Sequence, residues 1–332
     1  MSLDFHTITT GDYDILFPYI DKYGEHSCTW SFVHMFKYAD SFYTEGECIY
    51  LMRDHLNSSG HRVYMVPLCE KDYLPAAIKK LQADAKEQDY DFEFNNVTNA
   101  AAQIINEFFP GEFTTRPDRD WAEYIYSSKA LASFAGRRFS GIRNNIKHFN
   151  LEYGKNCTVK RFGTSGNTLG AGSIDGSAHD DDGGSFCNCL DCDDNSEVIR
   201  DILSFQEKWL DERLNKEDYD ELCAESLRIT NMLENCCALH ISGIAIYYKE
   251  NVIGYAFGAP NSSKCFDIIA EKGDVGFRGI YQKLVSATAS YVKDSYELIN
   301  REEDVGIEGL RTSKLHYGPI YLLEKNFMTW CK

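Results

Sequence analysis

The segment from Leu298 to Lys325 carries the densest set of side chains that could do chemistry. It opens just beyond a strand-like run with one amide and four charged residues: Asn300, Arg301, Glu302, Glu303 and Asp304. Arg311 and Lys314 follow. Strand ends are where α/β folds place ligand groups. Carboxylates there could hold an ammonium group, and arginine could hold a carboxylate or phosphate. The alternative is a solvated, salt-bridged turn.

A second charged stretch, from Gly136 to Arg161, holds seven basic residues and one acid, in a chain whose net charge is -17. Apolar residues at steps of three and four predict a helix from Gly136 to Tyr153. Arg143 and Lys147 on this helix could hold the phosphates of a tRNA end, a nucleotide or a phospholipid head group. An ordinary amphipathic helix with a basic polar face is the alternative. The two charged stretches are expected to grip one ligand from two sides of a groove.

A glycine-bearing turn precedes a predicted helix from Ile280 to Lys293. Backbone amides at such a helix start could take the pyrophosphate of coenzyme A, with Gly276 and Gly279 as the cofactor-binding residues. The run departs from the usual form of that loop, and a lone Gly-x-x-Gly is a weak signal.

The stretch from Phe162 to Ile199 has no lysine or arginine, carries eight acids and is rich in glycine and serine. This composition predicts a disordered insertion. Its thiols at Cys187, Cys189 and Cys192 could hold zinc, but no partner CxxC or HxxxH pair accompanies them, which favours the disordered interpretation. We therefore assign no metal ligands from the sequence.

The remaining pattern predicts alternating strands and helices. Two strands are expected at Phe113–Arg116 and Trp121–Tyr126, and a hairpin at Gly243–Tyr248 and Val252–Ala259. The second half has the element order of an acetyltransferase core, and 332 residues favour two domains. The predicted fold is α/β (α+β), with two tandem GNAT-like (acyl-CoA N-acyltransferase) domains of mixed, mainly antiparallel sheets flanked by helices. The predicted boundaries are 1–135, a basic connecting helix and strand at 136–161, the acidic insertion at 162–197, and 198–332.

Two motifs resemble a known family. The pattern Asn-Arg-Glu-Glu-Asp-x-Gly-x-x-Gly-Leu-Arg-x-x-Lys-x-x-Tyr-x-Pro, from Asn300 to Pro319, is similar to the closing motif of the phosphatidylglycerol lysyltransferase C-terminal domain family. The stretch from Tyr124 to Phe149 resembles its central motif. The resemblance implies a tandem acetyltransferase-like fold, shared with the Fem-type aminoacyltransferases. It also implies transfer of an aminoacyl group from a charged tRNA to a lipid or peptidoglycan amine or hydroxyl.

Absent motifs and the composition bear on the enzyme class, on membrane segments and on the compartment of the protein. The sequence has no P-loop, G-x-S-x-G, H-E-x-x-H or G-x-G-x-x-G motif. These absences argue against a kinase, a serine hydrolase, a zincin and a classical dehydrogenase. No window approaches 18 uninterrupted apolar residues, so no transmembrane segment is expected. Twelve cysteines without a secretion signal are expected to be reduced, and we predict a cytoplasmic protein.

The leading hypothesis is an aminoacyl or acyl transferase, with aminoacyl-tRNA or acyl-CoA as the donor and no certain cofactor. The acceptor would be a small molecule, lipid or peptide, and the tRNA acceptor end is a candidate partner. Glu302 and Asp304 are the predicted catalytic residues. The predicted substrate-binding residues are Asn300, Arg301, Arg311, Lys314, Arg143 and Lys147. An acetyl-CoA-dependent N-acetyltransferase and a catalytically degenerate binding module stay open, and the sequence does not give the oligomeric state.

Overall fold

The computed structural model describes residues 3–56, 60, 62–164, 192–213 and 219–331. The chain divides into two compact units. Unit 1 consists of Met1–Ser128, Ala259–Ile269 and Tyr296–Lys332, and unit 2 of Lys129–Gly258 and Ala270–Ser295. The units are therefore interleaved along the sequence, whereas the predicted domains are consecutive stretches, and those boundaries stay a prediction.

Runs rich in β-branched and aromatic residues give most of the strands. In chain order they are β1 (His6–Thr7), β2 (Ser41–Glu45), β3 (Cys48–Leu56), β4 (Arg62–Tyr64), β5 (Glu93–Thr98), β6 (Phe113–Ser127), β7 (Cys157–Gly163), β8 (Ser242–Tyr248), β9 (Asn251–Pro260), β10 (Cys265–Gly273), β11 (Leu298–Asn300) and β12 (Tyr321–Trp330). The helices are α1 (Tyr13–Tyr23), α2 (Phe32–Lys37), α3 (Leu74–Glu87), α4 (Asn99–Phe108), α5 (Ser128–Ser133), α6 (Ser140–Glu152), α7 (Cys192–Asp211), α8 (Tyr219–Glu234), α9 (Ile280–Val292) and α10 (Glu308–His316).

Unit 1 is built on a mixed, mainly antiparallel sheet with the strand order β1-β2-β3-β4-β5-β12-β6-β11-β10. The pairs β4–β5 and β10–β11 are parallel. The register of β11 sets Asn300 opposite Asp267 on β10 and Ile125 on β6. The end of β11 therefore lies beside two long strands, and the chain leaves the sheet there at the start of the charged segment.

The centre of β6 is a correction to the sequence prediction. Two short strands were expected there, whereas β6 runs unbroken from Phe113 to Ser127. β12 pairs with β6 on either side of its polar middle: Asp118 faces Lys325 and Pro117 faces Asn326, whereas Glu123 faces Leu323. The register shifts between Leu323 and Lys325. Residues 119–122 of β6 take no part in this register, so an irregularity within the continuous strand overlaps the break that the sequence predicted.

Unit 2 holds the antiparallel strands β7, β8 and β9, and it confirms the predicted hairpin. The apolar stripe of α6 also behaves as predicted, because Ile142 and Phe149 are buried. Phe149 packs in one apolar cluster with Ile280 and Leu284 of α9. Of the predicted acidic insertion, residues 165–191 lie outside the described part, while its two ends belong to β7 and α7.

The predicted fold class, mixed α/β with mainly antiparallel strands flanked by helices, is confirmed. Within the described residues, no helix is long and apolar enough to cross a membrane.

Candidate functional site

Asn300, at the end of β11, turns the chain into the charged segment. Its amide nitrogen donates to the Glu123 carboxylate at 2.5 Å and to the carbonyl of His26 at 2.9 Å. Its amide oxygen accepts from the backbone N–H of Glu302 at 2.8 Å. Glu302 itself has a φ of 54°, a left-handed conformation that costs a non-glycine residue free energy. The loop is therefore held by an amide that bonds through both its nitrogen and its oxygen, and it carries Glu302 on a left-handed backbone.

Asp304 is the centre of a saturated network. Its carboxylate accepts from Arg119 Nη1 at 3.0 Å, from Arg311 Nε and Nη2 at 3.0 and 2.8 Å, and from Tyr124 Oη at 2.6 Å. The backbone N–H of Gly306 adds a further bond at 3.0 Å. Burial opposes ionisation of Asp304, but the hydrogen bonds from Arg311, Tyr124 and Gly306 outweigh it and lower the pKa of the carboxyl. The arrangement fixes the start of α10 against β6.

Glu123 on β6 and Lys325 on β12 form a buried ion pair. Lys325 Nζ lies 2.6 Å from Glu123 Oε1, and each side chain is about 1% exposed. The hydroxyl of Ser27 donates to Glu123 at 2.7 Å and the backbone N–H of Cys28 at 2.8 Å. Burial opposes ionisation here as well, yet the charge of Lys325 and these donors lower the pKa of Glu123. We call the Asp304 network and this ion pair together the paired region.

A second group of side chains borders the paired region, and we call it the thiol–carboxyl cluster: Cys28, His34, Asp267, Glu302 and Glu303. The thiol of Cys28 donates to Glu303 Oε2 at 3.4 Å, and His34 Nδ1 lies 3.9 Å from Glu302 Oε1. Within the described residues, both carboxyl oxygens of Asp267 and His34 Nδ1 are buried without a hydrogen-bond partner. Such groups are uncommon in folded proteins and call for an explanation.

The electrostatics of this cluster are opposite to those of the paired region. Burial and the charges of Glu302 and Glu123 raise the pKa of Asp267 well above its ordinary value. Burial and Glu302 also raise the pKa of Glu303. The pKa of His34 is lowered, first by burial and then by Arg53 and Lys37. The cluster therefore favours the neutral forms of Asp267, Glu303 and His34, and shifted pKa values of this kind are typical of functional sites.

Lys314 bonds the loop after β11, to which Arg301 belongs. The Lys314 ammonium donates to the carbonyl of Arg301 at 2.6 Å and to that of Glu303, and burial lowers the pKa of this ammonium. The Arg301 guanidinium lies over the ring of Tyr317, 4.7 Å from its centroid. The structure thus brings six predicted residues together in unit 1: Asn300, Arg301, Glu302, Asp304, Arg311 and Lys314. Their functional roles stay predictions.

The other predicted anion-binding residues belong to unit 2. Arg143 on α6 donates to the carbonyls of Phe134 and, at 2.6 Å, of Gly136, so it holds the turn that precedes the helix. Lys147 is exposed. Their binding of phosphate, and the shared groove with the Arg301 stretch, stay predictions.

The glycine turn before α9 is described in full. The Asp274 carboxylate accepts from the N–H of Gly276 at 2.8 Å. At Gly279, whose φ is 90°, a Cβ would lie 2.6 Å from the carbonyl oxygen of Asn145. Glycine is required there by close packing, and a carboxylate already occupies one turn amide. Coenzyme A binding by this turn stays a prediction without a supporting contact.

Several residues of the site escaped the sequence reasoning: Cys28, His34, Glu123, Asp267 and Lys325. One signal was available, since Asp267 interrupts an otherwise apolar strand. Cys28, His34 and Glu302 could hold a metal ion, because their ligand atoms lie within 4.8 Å of one another. The thiols of Cys187, Cys189 and Cys192 lie outside the described side chains.

The comparisons with known proteins agree with this architecture. The family model for the C-terminal domain of phosphatidylglycerol lysyltransferase matches residues 17–169 and 190–328, and the chain belongs to this family. A conserved protein of unknown function from Bacteroides thetaiotaomicron superposes with a TM-score of 0.83 at 25% identity, covering 99% of this chain and 100% of the other. The structure of L-PGS from Bacillus licheniformis superposes with a TM-score of 0.61 at 13% identity, covering 94% and 90%.

One curated relative that matches this chain is itself uncharacterised. An uncharacterised protein of Mycoplasmoides gallisepticum is 21% identical over 203 residues, which are 61% of this chain. The match spans only 54% of that relative's length.

Proposed function

We propose that this chain is an aminoacyl transferase, which moves an aminoacyl group from a tRNA ester to an acceptor amine or hydroxyl. Membership of the lysyltransferase family supports the reaction class. The observation that carries the proposal is the thiol–carboxyl cluster, to which the loop after β11, where the closing motif begins, contributes Glu302 and Glu303. Because aminoacyl-tRNA is the donor, we propose that the protein acts in the cytoplasm.

An ammonium group is the ligand that the cluster suits. Asp267 and Glu303 have raised pKa values because of burial and neighbouring carboxylates. A cation bound between them would remove that repulsion and let both carboxyls ionise. The α-ammonium of an aminoacyl group, or the side-chain ammonium of lysine, has the required charge and hydrogen-bond donors. We assign Asp267 and Glu303 to this recognition.

The two predicted catalytic carboxylates then have different roles. Glu302 faces the cluster on a strained backbone, and we place it at the reacting end of the substrate. Asp304 is saturated by hydrogen bonds and has a lowered pKa, which makes it a poor proton acceptor. We assign Asp304, with Arg311, to positioning the loop. The ester is already activated, so the protein needs mainly to position both partners and stabilise the developing oxyanion.

A transfer assay tests the proposal. Lysyl-tRNA carrying labelled lysine is mixed with the protein and with vesicles that contain phosphatidylglycerol, and label is followed into the lipid phase. Parallel reactions use small amines and peptides as acceptors and other aminoacyl-tRNAs as donors. We expect transfer with at least one pair, and a large loss of kcat/KM in Glu303→Gln. Glu107→Gln, which removes an exposed carboxylate paired with Lys71, should leave the rate unchanged.

The competing hypotheses give different results. A binding module would show thermal stabilisation by deacylated tRNA or lysine amide, since a ligand of the native state raises the melting temperature, but no transfer. An acetyl-CoA-dependent enzyme would respond to coenzyme A instead. Either result, with no transfer from any aminoacyl-tRNA, contradicts the proposal.

A further inference from the structure

Three elements of unit 1 bring a thiol, an imidazole and a carboxylate together. Cys28 begins a 3-10 turn, Cys28–Trp30, and His34 lies one short step along the chain in α2. Glu302 arrives from the loop after β11. The ligand atoms of the three side chains lie within 4.8 Å of one another. Cys28 and His34 are six positions apart in sequence, and Glu302 follows them by more than 260 residues.

The donor set matches one class of cation. Thiolate and imidazole are the ligands that Zn²⁺ prefers, and a carboxylate commonly completes its coordination. Metal–ligand bonds of about 2.0–2.3 Å place ligand atoms roughly 3.3–3.8 Å apart in a tetrahedral site. The three ligand atoms lie within 4.8 Å of one another, so a pair at that limit has to approach by about 1 Å when a metal binds.

A second observation points to a ligand at the same place. His34 is 8% exposed, and within the described residues its Nδ1 has no hydrogen-bond partner. Lys37 and Arg53 act electrostatically on His34 and oppose a cation, whereas Glu303 and Glu123 favour one.

We infer that Cys28, His34 and Glu302 bind one divalent cation of the Zn²⁺ class. Three protein ligands leave a fourth position for a water or substrate oxygen, as in zinc enzymes. If the proposed aminoacyl transfer is correct, the cation would polarise the carbonyl of the ester, and Glu302 would act as a ligand of the cation. The binding itself does not rest on the proposed function.

Cobalt substitution tests the inference without an activity assay. The background is the full-length chain carrying Cys187→Ser, Cys189→Ser and Cys192→Ser, so that thiols of the acidic segment contribute nothing. This protein is stripped of metal and titrated with Co²⁺. We expect one equivalent to bind and to produce a thiolate-to-cobalt charge-transfer band in the near ultraviolet, and we expect Zn²⁺ to displace it.

Variants in that background identify the ligands. Cys28→Ser should abolish the band, and His34→Gln and Glu302→Gln should each weaken binding by at least about tenfold. Cys48→Ser removes another buried thiol of unit 1 and should change nothing. Circular dichroism and the melting temperature without metal check that each variant folds. If Cys28→Ser does not fold, the titrations of His34→Gln and Glu302→Gln decide the question.

The outcomes are separable from those of the transfer assay. The inference is overturned if no equivalent of Co²⁺ or Zn²⁺ binds at micromolar concentration, or if binding is unchanged in His34→Gln and Glu302→Gln. Metal binding without transfer would leave this site standing and remove only the proposed function. Transfer without metal binding would do the reverse.

Discussion

Two neighbouring groups of buried ionisable side chains in unit 1 have carboxyl pKa values that are shifted in opposite directions. In the paired region, Asp304 accepts from two arginines, a tyrosine and a backbone amide, and Glu123 pairs with Lys325 and accepts from Ser27, Cys28 and Asn300. The pKa values of both carboxyls are lowered. In the thiol–carboxyl cluster, Asp267 has no partner among the described residues, and the pKa values of Asp267 and Glu303 are raised.

The difference separates structure from function within one continuous stretch of loop. A buried polar group that is fully bonded contributes to a unique fold, whereas one left without a partner lowers stability. Groups that carry such a cost are found where a ligand will satisfy them. Asp304 and Glu303 are adjacent in sequence, yet we assign the first to the scaffold and the second to the proposed site. Four predictions test this division, beginning with the largest effect.

Lys325→Met should be the most destabilising change. It leaves the Glu123 carboxylate buried without its cation, and breaking a buried pair in this way costs about 3–5 kcal/mol in the free energy of unfolding. Denaturant unfolding monitored by circular dichroism measures the loss. The double variant Glu123→Gln/Lys325→Met, which removes both charges, should recover most of it. Equal destabilisation of the single and double variants would show that the pair is not energetically coupled.

Arg311→Ala should lower stability less, because Arg119 and Tyr124 still bond Asp304. The lowered pKa of Asp304 means that its contribution is present above its unfolded pKa and is lost as the pH falls through the folded value. The difference in the free energy of unfolding between Arg311→Ala and the wild type should therefore disappear in strong acid.

Thermal melts between neutral and acidic pH measure this difference. Arg311→Lys keeps the charge but not the bidentate geometry, and it should behave more like Ala than like the wild type. A deficit that is independent of pH would contradict the assignment of Asp304 as its source.

The sequence predicted the elements that have their own periodicity. The stripe of α6 and the hairpin of β8 and β9 were visible because apolar spacing decides them. Helix α10 was not predicted, since Lys314 is its one buried residue among those described and Leu310 and Leu315 are exposed. Side-chain bonds from Arg311 and Lys314 hold this helix in place of an apolar stripe.

The site was predicted only where it is local. The spacing of charges picked out Asn300 to Lys314, since those residues are close in sequence. Glu123 and Lys325 come from the paired strands β6 and β12, and Cys28 comes from a 3-10 turn whose N–H bonds Glu123, so only the folded chain brings the three together. The sequence also gave no means of separating Asp304 from Glu303, because the number of hydrogen-bond donors around each is a property of the fold.

Asp267→Asn should stabilise the protein at neutral pH while weakening the site. The amide has the same shape as the carboxyl and carries no charge, so it avoids the cost of a buried acid that burial and Glu302 disfavour. We expect a gain of about 1–2 kcal/mol in the free energy of unfolding. The same variant should lose aminoacyl transfer. Destabilisation at neutral pH would mean that the carboxylate is used by the fold, as in the paired region.

The smallest expected effect is the pH dependence of the stability gained by Asp267→Asn, and it tests the difference between the two regions. Because the folded pKa of Asp267 is raised, the wild type keeps the associated stability below the unfolded pKa of the carboxyl, and loses it as the pH rises through the folded value. The advantage of Asp267→Asn should therefore be small near pH 4 and grow toward neutral pH, opposite in direction to the effect of Asp304. Parallel melts of the two proteins measure it, with the exposed-carboxylate variant Glu107→Gln as the control. An advantage that shrinks as the pH rises would place Asp267 among the stabilising carboxylates and remove the distinction between the two regions.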